Sequence, residues 1–300
     1  MAIIDDIKRN YLQGSMLLRL IFINIGVFLL LHIITIVALL LNAGANPLQW
    51  VELPSDVMAL LRRPWTLVTY MFSHYALLHI LFNMLWLYWL GRIFMEYFSP
   101  KQLTGVYLLG GWGGALLFLL AYNLLPYFAG HHSLLIGASA SVIAIVVATA
   151  VYAPDYKIGL LFIGEVSLKW VAIVTIIIDI IGLEGGNIGG NMAHLGGAIV
   201  GAIFALRIKS GHDITRPLNA LIDGVVGLFN GRSWPQFKRP RRPARPTRPQ
   251  QEPPRAHRPA DTISESELDT ILGKIKASGY DALTDEEKDK LFKASRRREP

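Results

Sequence analysis

Leu134-Leu-Ile-Gly137-Ala138-Ser139-Ala140-Ser141-Val-Ile-Ala-Ile-Val-Val-Ala-Thr-Ala-Val-Tyr-Ala153 is the stretch on which the reading of this chain turns. It is uncharged from end to end, and as a helix rising 1.5 Å per residue it would reach about 30 Å, the thickness of a bilayer's hydrocarbon. Small residues at four-residue spacing in such a run normally mean that another helix packs close. Taken alone, Ser139 is therefore more simply a packing serine than a nucleophile. Two other apolar runs change that reading: a later one carries His194, and an earlier one carries His79 and Asn83.

Composition places these residues in a membrane. Of 300 residues 52% are hydrophobic and only 17% charged, against about 25% charged in soluble domains, and the mean hydropathy is +0.39. The chain has no cysteine, which excludes disulfides, thiol nucleophiles and cysteine-bound zinc. The net charge of +7 is concentrated in the C-terminal third, so it describes a tail and not a basic groove. The first apolar run, Leu17 to Leu41, is too long for a signal-peptide core and is read as a retained helix.

Hydropathy predicts an all-α polytopic membrane protein with six spans, near 17–42, 75–98, 103–125, 134–153, 168–183 and 190–208. Lys8, Arg9, Arg92, Lys101, Lys157, Lys169, Arg207 and Lys209 then fall on one side, which predicts both termini in the cytoplasm. Loop 43–74 mixes Trp50, Leu53, Met58, Leu60, Leu61 and Trp65 with polar residues, as an interfacial, partly membrane-dipping element would. Four segments are expected: a cytoplasmic N-terminus (1–16), the membrane domain (17–210), an interfacial segment and Pro/Arg-rich linker (211–261), and a small soluble helical hairpin (262–300). Within the third, 216–230 reads as an interfacial helix. The repeated prolines of 235–259 make a tether, with attachment to anionic lipid as a second reading. In the hairpin, Ser264 or Ser266 caps a first helix that Gly279 ends, and Thr284 with Glu287 forms a capping box for a second. A hairpin of this size buries little surface and is expected either to be marginal alone or to dock on an unknown cytoplasmic partner. Nothing calls for a specific nucleic-acid partner.

With six spans, the second, fourth and sixth enter from the outer face. Asn83, Ser139 and His194 then lie about eight, five and four residues into them, or roughly 12, 8 and 6 Å deep. Polar side chains inside a membrane are expensive, so this shared depth reads as function. A serine hydroxyl is a weak nucleophile until a base takes its proton, and histidine is the usual base. Asn83 and His79, four apart on one helix face, can both donate to a developing oxyanion, as can backbone N–H groups near Ser139. Helix phase alone points no carboxylate at His194. A Ser–His dyad is therefore expected, with Asp179 as a hydrogen-bonded structural carboxylate. Gly197 and Gly201 offer a face on which spans four and six could close until Ser139 and His194 touch. His74 is expected to orient the first loop, and His131 and His132 to be solvated. No HExxH is present, so no metal site is expected.

Three separated motifs now carry a resemblance. His79-Ile-Leu-Phe-Asn83-Met84 resembles the HxxxN of the rhomboid family of intramembrane serine proteases, Gly137-Ala138-Ser139 resembles its GxS, and Ala193-His194-Leu-Gly196 its AHxxG. Arg63-Pro64-Trp65 is similar to part of the family's first loop, and the likeness covers about residues 15–210. It implies a bacterial, six-span type in the inner (cell) membrane. It also implies Ser139 as nucleophile, His194 as general base, and Asn83, His79 and the Ser139 N–H as the oxyanion hole. Transmembrane protein substrates would be cleaved near small residues with neither metal nor other cofactor. The chain departs from the family's pattern at Ala140, where glycine usually follows the serine, and at Ile143, where an aromatic residue often stands. A catalytically weak or inactive relative that binds transmembrane helices is the alternative. A small transporter would want more paired charge than Asp179 supplies.

Overall fold

The computed structural model describes residues 15–44, 46–160, 164–229 and 265–296. Lys8, Arg9, Ser264 and the Pro/Arg run 235–259 lie outside the described residues. The chain divides into two compact units, Met1–Pro235 and Gln236–Pro300.

The first unit is built around its most deeply buried helix. α1 (Met16–Leu40), α2 (Val57–Arg62), α3 (Thr66–Thr69), α4 (Leu77–Tyr97), α5 (Pro100–Leu124), α6 (Ser139–Tyr152), α7 (Leu168–Ile181), α8 (Ile188–Lys209) and α9 (Arg216–Phe229) follow in order. Four of them, α1, α4, α5 and α8, are long and apolar enough to cross a membrane. α6 has no polar stripe, and a helix apolar all round has to be buried. Every residue from Ala140 to Ala150 is buried, with α4, α5, α7 and α8 packed around it. The outer helices turn one face inward. In α1 the buried Leu17, Leu20, Asn24, Phe28 and Leu31 form a single stripe, while Leu29, Leu30, Ile33 and Ile36 face outward. Buried Asn24 is satisfied by donating to the Tyr107 hydroxyl at 3.0 Å, and that hydroxyl donates to the Met71 carbonyl at 2.7 Å.

The run quoted at the outset is not one helix. Leu134–Leu135 (β2) is extended and pairs antiparallel with Leu53–Pro54 (β1), in register Leu53↔Leu135 and Pro54↔Leu134. Gly137 then turns the chain at φ 128°, and α6 starts at Ser139. The expected span over 134–153 is thus corrected to a helix of 14 residues, about 21 Å long. Hydropathy could not separate an apolar strand and turn from an apolar helix. The other five predicted spans match α1, α4, α5, α7 and α8 to within three residues at each end.

Bare backbone lets the inner helices close. A Cβ at Gly197 would stand 2.8 Å from the Ala140 carbonyl carbon and 3.1 Å from its Cα, and one at Gly201 3.0 Å from the Ala144 Cα. This is the face expected from the Gly197/Gly201 spacing. On the opposite side of α8, a Cβ at Gly196 would stand 2.9 Å from the Gly114 Cα of α5.

The long first loop is folded on itself. Asp56 caps α2 by accepting from the Ala59 N–H at 2.6 Å, the Trp65 indole donates to the Trp50 carbonyl at 2.8 Å, and Thr69 donates to the Val51 carbonyl at 2.9 Å. Trp50, Met58, Leu61 and Trp65 stay exposed, as an interfacial element requires. At the far end of the bundle α9 lies against the start of α5. Thr215 is buried on Gly105, Gln102 donates to Asp213 at 3.0 Å, and Lys101 pairs with Asp223 at 2.5 Å. In the second unit α10 (Glu265–Ser278) ends at Gly279, φ 81°, and Thr284 and Glu287 form the expected capping box of α11 (Asp285–Arg296).

Candidate active site

Gly137 sets the position of Ser139. Its backbone lies in the region that side-chain-bearing residues avoid, and a Cβ there would come 2.8 Å from the His79 ring. Its N–H donates to the Tyr70 carbonyl at 2.9 Å, and the Ala138 N–H points to His74 Nε2 at 3.4 Å. Burial, and His79 beside it, hold His74 far below the usual histidine range, at about 3. It is therefore neutral and can accept that N–H. His74 thus meets the loop carrying the serine, where the sequence suggested the first loop. Ser139 is the first residue of α6, so the N–H groups around it have no partner within the helix and the helix dipole is positive there.

His194, in the second turn of α8, meets this helix start. Its Nε2 is 2.7 Å from Ser139 Oγ, and its Nδ1 is 2.7 Å from Asp179 Oδ1 on α7. A carboxylate only accepts, so Nδ1 carries the proton and Nε2 turns its lone pair to the hydroxyl. Asp179 is hydrogen-bonded, as expected, but its partner is the imidazole beside which helix phase placed no carboxylate: hydroxyl, imidazole and carboxylate stand in line. Helix phase missed this because the short turn Gly182–Glu184 and the loop to Ile188 fold α7 back along α8. A sequence signal did exist. Among the six predicted spans the only carboxylates are Asp179 and Glu96, and Glu96, at the end of its span, accepts from the Tyr156 hydroxyl at 3.2 Å.

His79 and Asn83 line the same cleft as Ser139, His194 and Asp179. The Asn83 amide donates one hydrogen to the His79 carbonyl at 2.9 Å, which leaves its second for another acceptor. The cleft holds about 410 Å³ and is walled by Trp86 of α4, Val142 and Ile143 of α6, and Thr175 of α7. At its rim Leu78 and Phe82 of α4 and Ile178 of α7 are all more than half exposed, so it opens sideways on the apolar surface. His131 and His132 are exposed in the loop before β2. Among the described residues no cluster of three or more His, Cys, Asp or Glu could hold a metal ion.

Directly before β1, Glu52 is buried within the first loop. Burial pushes its carboxyl above the usual range, against the bond from Tyr75 and the charge of Arg63. Arg63 itself donates to the Gln49 carbonyl.

A helical, multi-pass membrane protein with a hydroxyl–imidazole–carboxylate line at its centre is the class these features define. Comparison with known proteins agrees. The Rhomboid domain family matches residues 61–210, half of the chain, and the chain belongs to the rhomboid family. It is similar to RHOMBOID-like protein 12, mitochondrial, of Arabidopsis thaliana, at 35% identity over 49% of this chain and 47% of that one. It is also similar to the Rhomboid protease GlpG of Photorhabdus laumondii, at 27% identity over 67% of this chain and 65% of that one. The chain thus spans about half of the first relative and just under two thirds of the second.

Proposed function

We propose that this chain is an intramembrane serine protease of six spans, with Ser139 as nucleophile and His194 as general base. The observation that carries the reading is the 2.7 Å approach of His194 Nε2 to Ser139 Oγ inside a cleft open to the lipid side. Nε2 takes the hydroxyl proton as Oγ attacks the scissile carbonyl carbon. The developing oxyanion is held by the Ser139 N–H, the free Asn83 amide hydrogen and the His79 ring. Collapse breaks the C–N bond, and the imidazolium returns its proton to the departing amine. Water, deprotonated by the same Nε2, then releases the acyl group. No metal or other cofactor takes part. The similarity to a relative named a protease supports this reading. Substrates are transmembrane segments, because a soluble chain would have to cross lipid to reach the rim at Leu78, Phe82 and Ile178. Both termini lie in the cytoplasm of a bacterial cell, and residues 211–261 and 262–300 are appendages to a protease domain at 17–210.

The test is labelling of the full chain in detergent with a fluorophosphonate probe. Wild type reacts, while Ser139→Ala and His194→Ala do not. Equal labelling of all three sinks the proposal. A chain that never labels yet retains transmembrane peptides supports instead the non-cleaving, helix-binding relative.

A further inference from the structure

α7 faces outward almost everywhere. Of its 14 residues only Leu168, Ala172 and Asp179 are buried, while Ile173, Val174, Ile177 and Ile178 are exposed. A helix that merely covered the bundle would turn an aliphatic residue inward at position 179. A carboxylate taken out of water is costly unless it is paired and hydrogen-bonded. Here one oxygen lies on His194 Nδ1 at 2.7 Å, and the other has no hydrogen-bond partner. The side chain is therefore placed for one contact.

We propose that Asp179 is a positioning residue for His194, a reading that rests on the protease assignment above. An imidazole without a fixed partner divides between two tautomers, and only the one protonated on Nδ1 leaves Nε2 free to accept from Ser139. Asp179 selects that tautomer, holds the ring plane toward Oγ, and faces the positive charge that the ring gains on taking the proton. The carboxylate does not touch substrate and takes no proton itself. Because α7 delivers it, the base is set only while α7 is seated on α8. A displacement of α7 that withdraws Asp179 leaves Ser139 and His194 in place but unaligned.

Asp179→Asn is the discriminating variant, being nearly isosteric. Its amide can donate to Nδ1 and so drive the proton to Nε2, the wrong nitrogen. In the full chain, in detergent, fluorophosphonate labelling of Asp179→Asn is expected to slow by about 10²–10⁴-fold. With a transmembrane peptide substrate the loss falls on kcat, with KM within about twofold. Asp179→Glu restores at least a tenfold part of the rate. Melting temperatures report whether each variant folds. The ¹⁵N spectrum of histidine-labelled protein, with the His194 signal identified by its loss in His194→Ala, shows an Nδ1–H ring in wild type and an Nε2–H ring in Asp179→Asn. Labelling within threefold of wild type, or an unchanged tautomer, overturns the proposal. If wild type never labels, the protease reading has failed, and the tautomer measurement, which needs no turnover, still decides the role of Asp179.

Discussion

Adding one methyl group at Gly197 measures how far the proposed catalysis depends on the α6–α8 contact. A Cβ there falls almost on the Ala140 carbonyl oxygen, nearer still than its carbon at 2.8 Å, where ordinary contact begins at 3.4 Å, so the helices must part by about 1 Å. The obstacle is backbone, which cannot rotate away as a side-chain tip would. His194 lies one turn before Gly197 on α8, and Ala140 follows Ser139 directly on α6. Most of the separation therefore falls on the Nε2–Oγ distance, lengthening 2.7 Å to about 3.7 Å, beyond proton-transfer reach. Misplacement by about 1 Å is worth about 10²-fold in rate, so Gly197→Ala should label about 10²-fold more slowly, or about 2.7 kcal/mol of barrier. Two controls sit in the same chain. Gly201→Ala meets the Ala144 Cα at 3.0 Å but two turns from His194, so it should lower the melting temperature more than the rate. Gly26→Ala, with nothing within 4 Å of the added carbon, should change neither. Wild-type labelling by a folded Gly197→Ala would refute the idea that this contact sets the Ser–His distance.

Three further outcomes follow from the same packing. Ending the chain after Phe229 should leave cleavage of a model substrate unchanged. Ending it after Ser210 strips Thr215 and Leu218 from the bundle and should lower the melting temperature by several degrees, for about 1–3 kcal/mol; equal melting of the two truncations would count against the α9 contact. His74 is held neutral in the fold down to about 3, whereas the unfolded chain takes up its proton below about 6.5. Its contribution is therefore fully present above 6.5 and is lost as pH falls from there toward 3, so melting of wild type should drop more steeply over that window than melting of His74→Gln; parallel curves would show otherwise. Gly137→Ala strains a backbone at φ 128° and drives a carbon into the His79 ring, so it should reduce labelling at least as much as Gly197→Ala, with a near-normal rate as the contrary result.

Much of this arrangement was legible in the residues. Apolar runs gave five helices nearly to their ends, because a lipid-facing helix needs little beyond length and hydropathy to be recognised. The spacing of Gly197 and Gly201 announced a close partner, and the partner is the helix bearing Ser139. Two features were hidden for physical reasons. Leu134-Leu135-Ile136 is as apolar as a helix and gave no periodicity against one, so only Gly137 marked the boundary. The contact of Asp179 with His194 depends on how α7 folds back on α8, a tertiary fact that helix phase does not contain. The Pro/Arg tether at 235–259 lies outside the described residues.

The two departures from the family's pattern look different once their neighbours are seen. Ala140 carries a methyl group where glycine is usual, and in isolation that methyl crowds the Ser–His approach. Its Cβ instead points at α5, 2.6 Å from where a Cβ of Gly114 would stand, and Gly114 has none. The space for Ala140 is thus supplied across the helix pair, on the side away from Gly197. Ala140→Gly should therefore leave labelling near the wild-type rate and lose about 1 kcal/mol of stability for the vacated methyl. A large gain in rate would show that the methyl obstructs the site after all. Ile143 stands one turn below Ser139 on the wall of the cleft, and Trp86 of α4 and Ile178 of α7 line the same space. The apolar surface that an aromatic residue would supply at 143 is supplied here from the neighbouring helices. Neither departure removes or displaces Ser139, His194 or Asp179, which is why the two 2.7 Å contacts that join them close in a chain that lacks both of the usual residues.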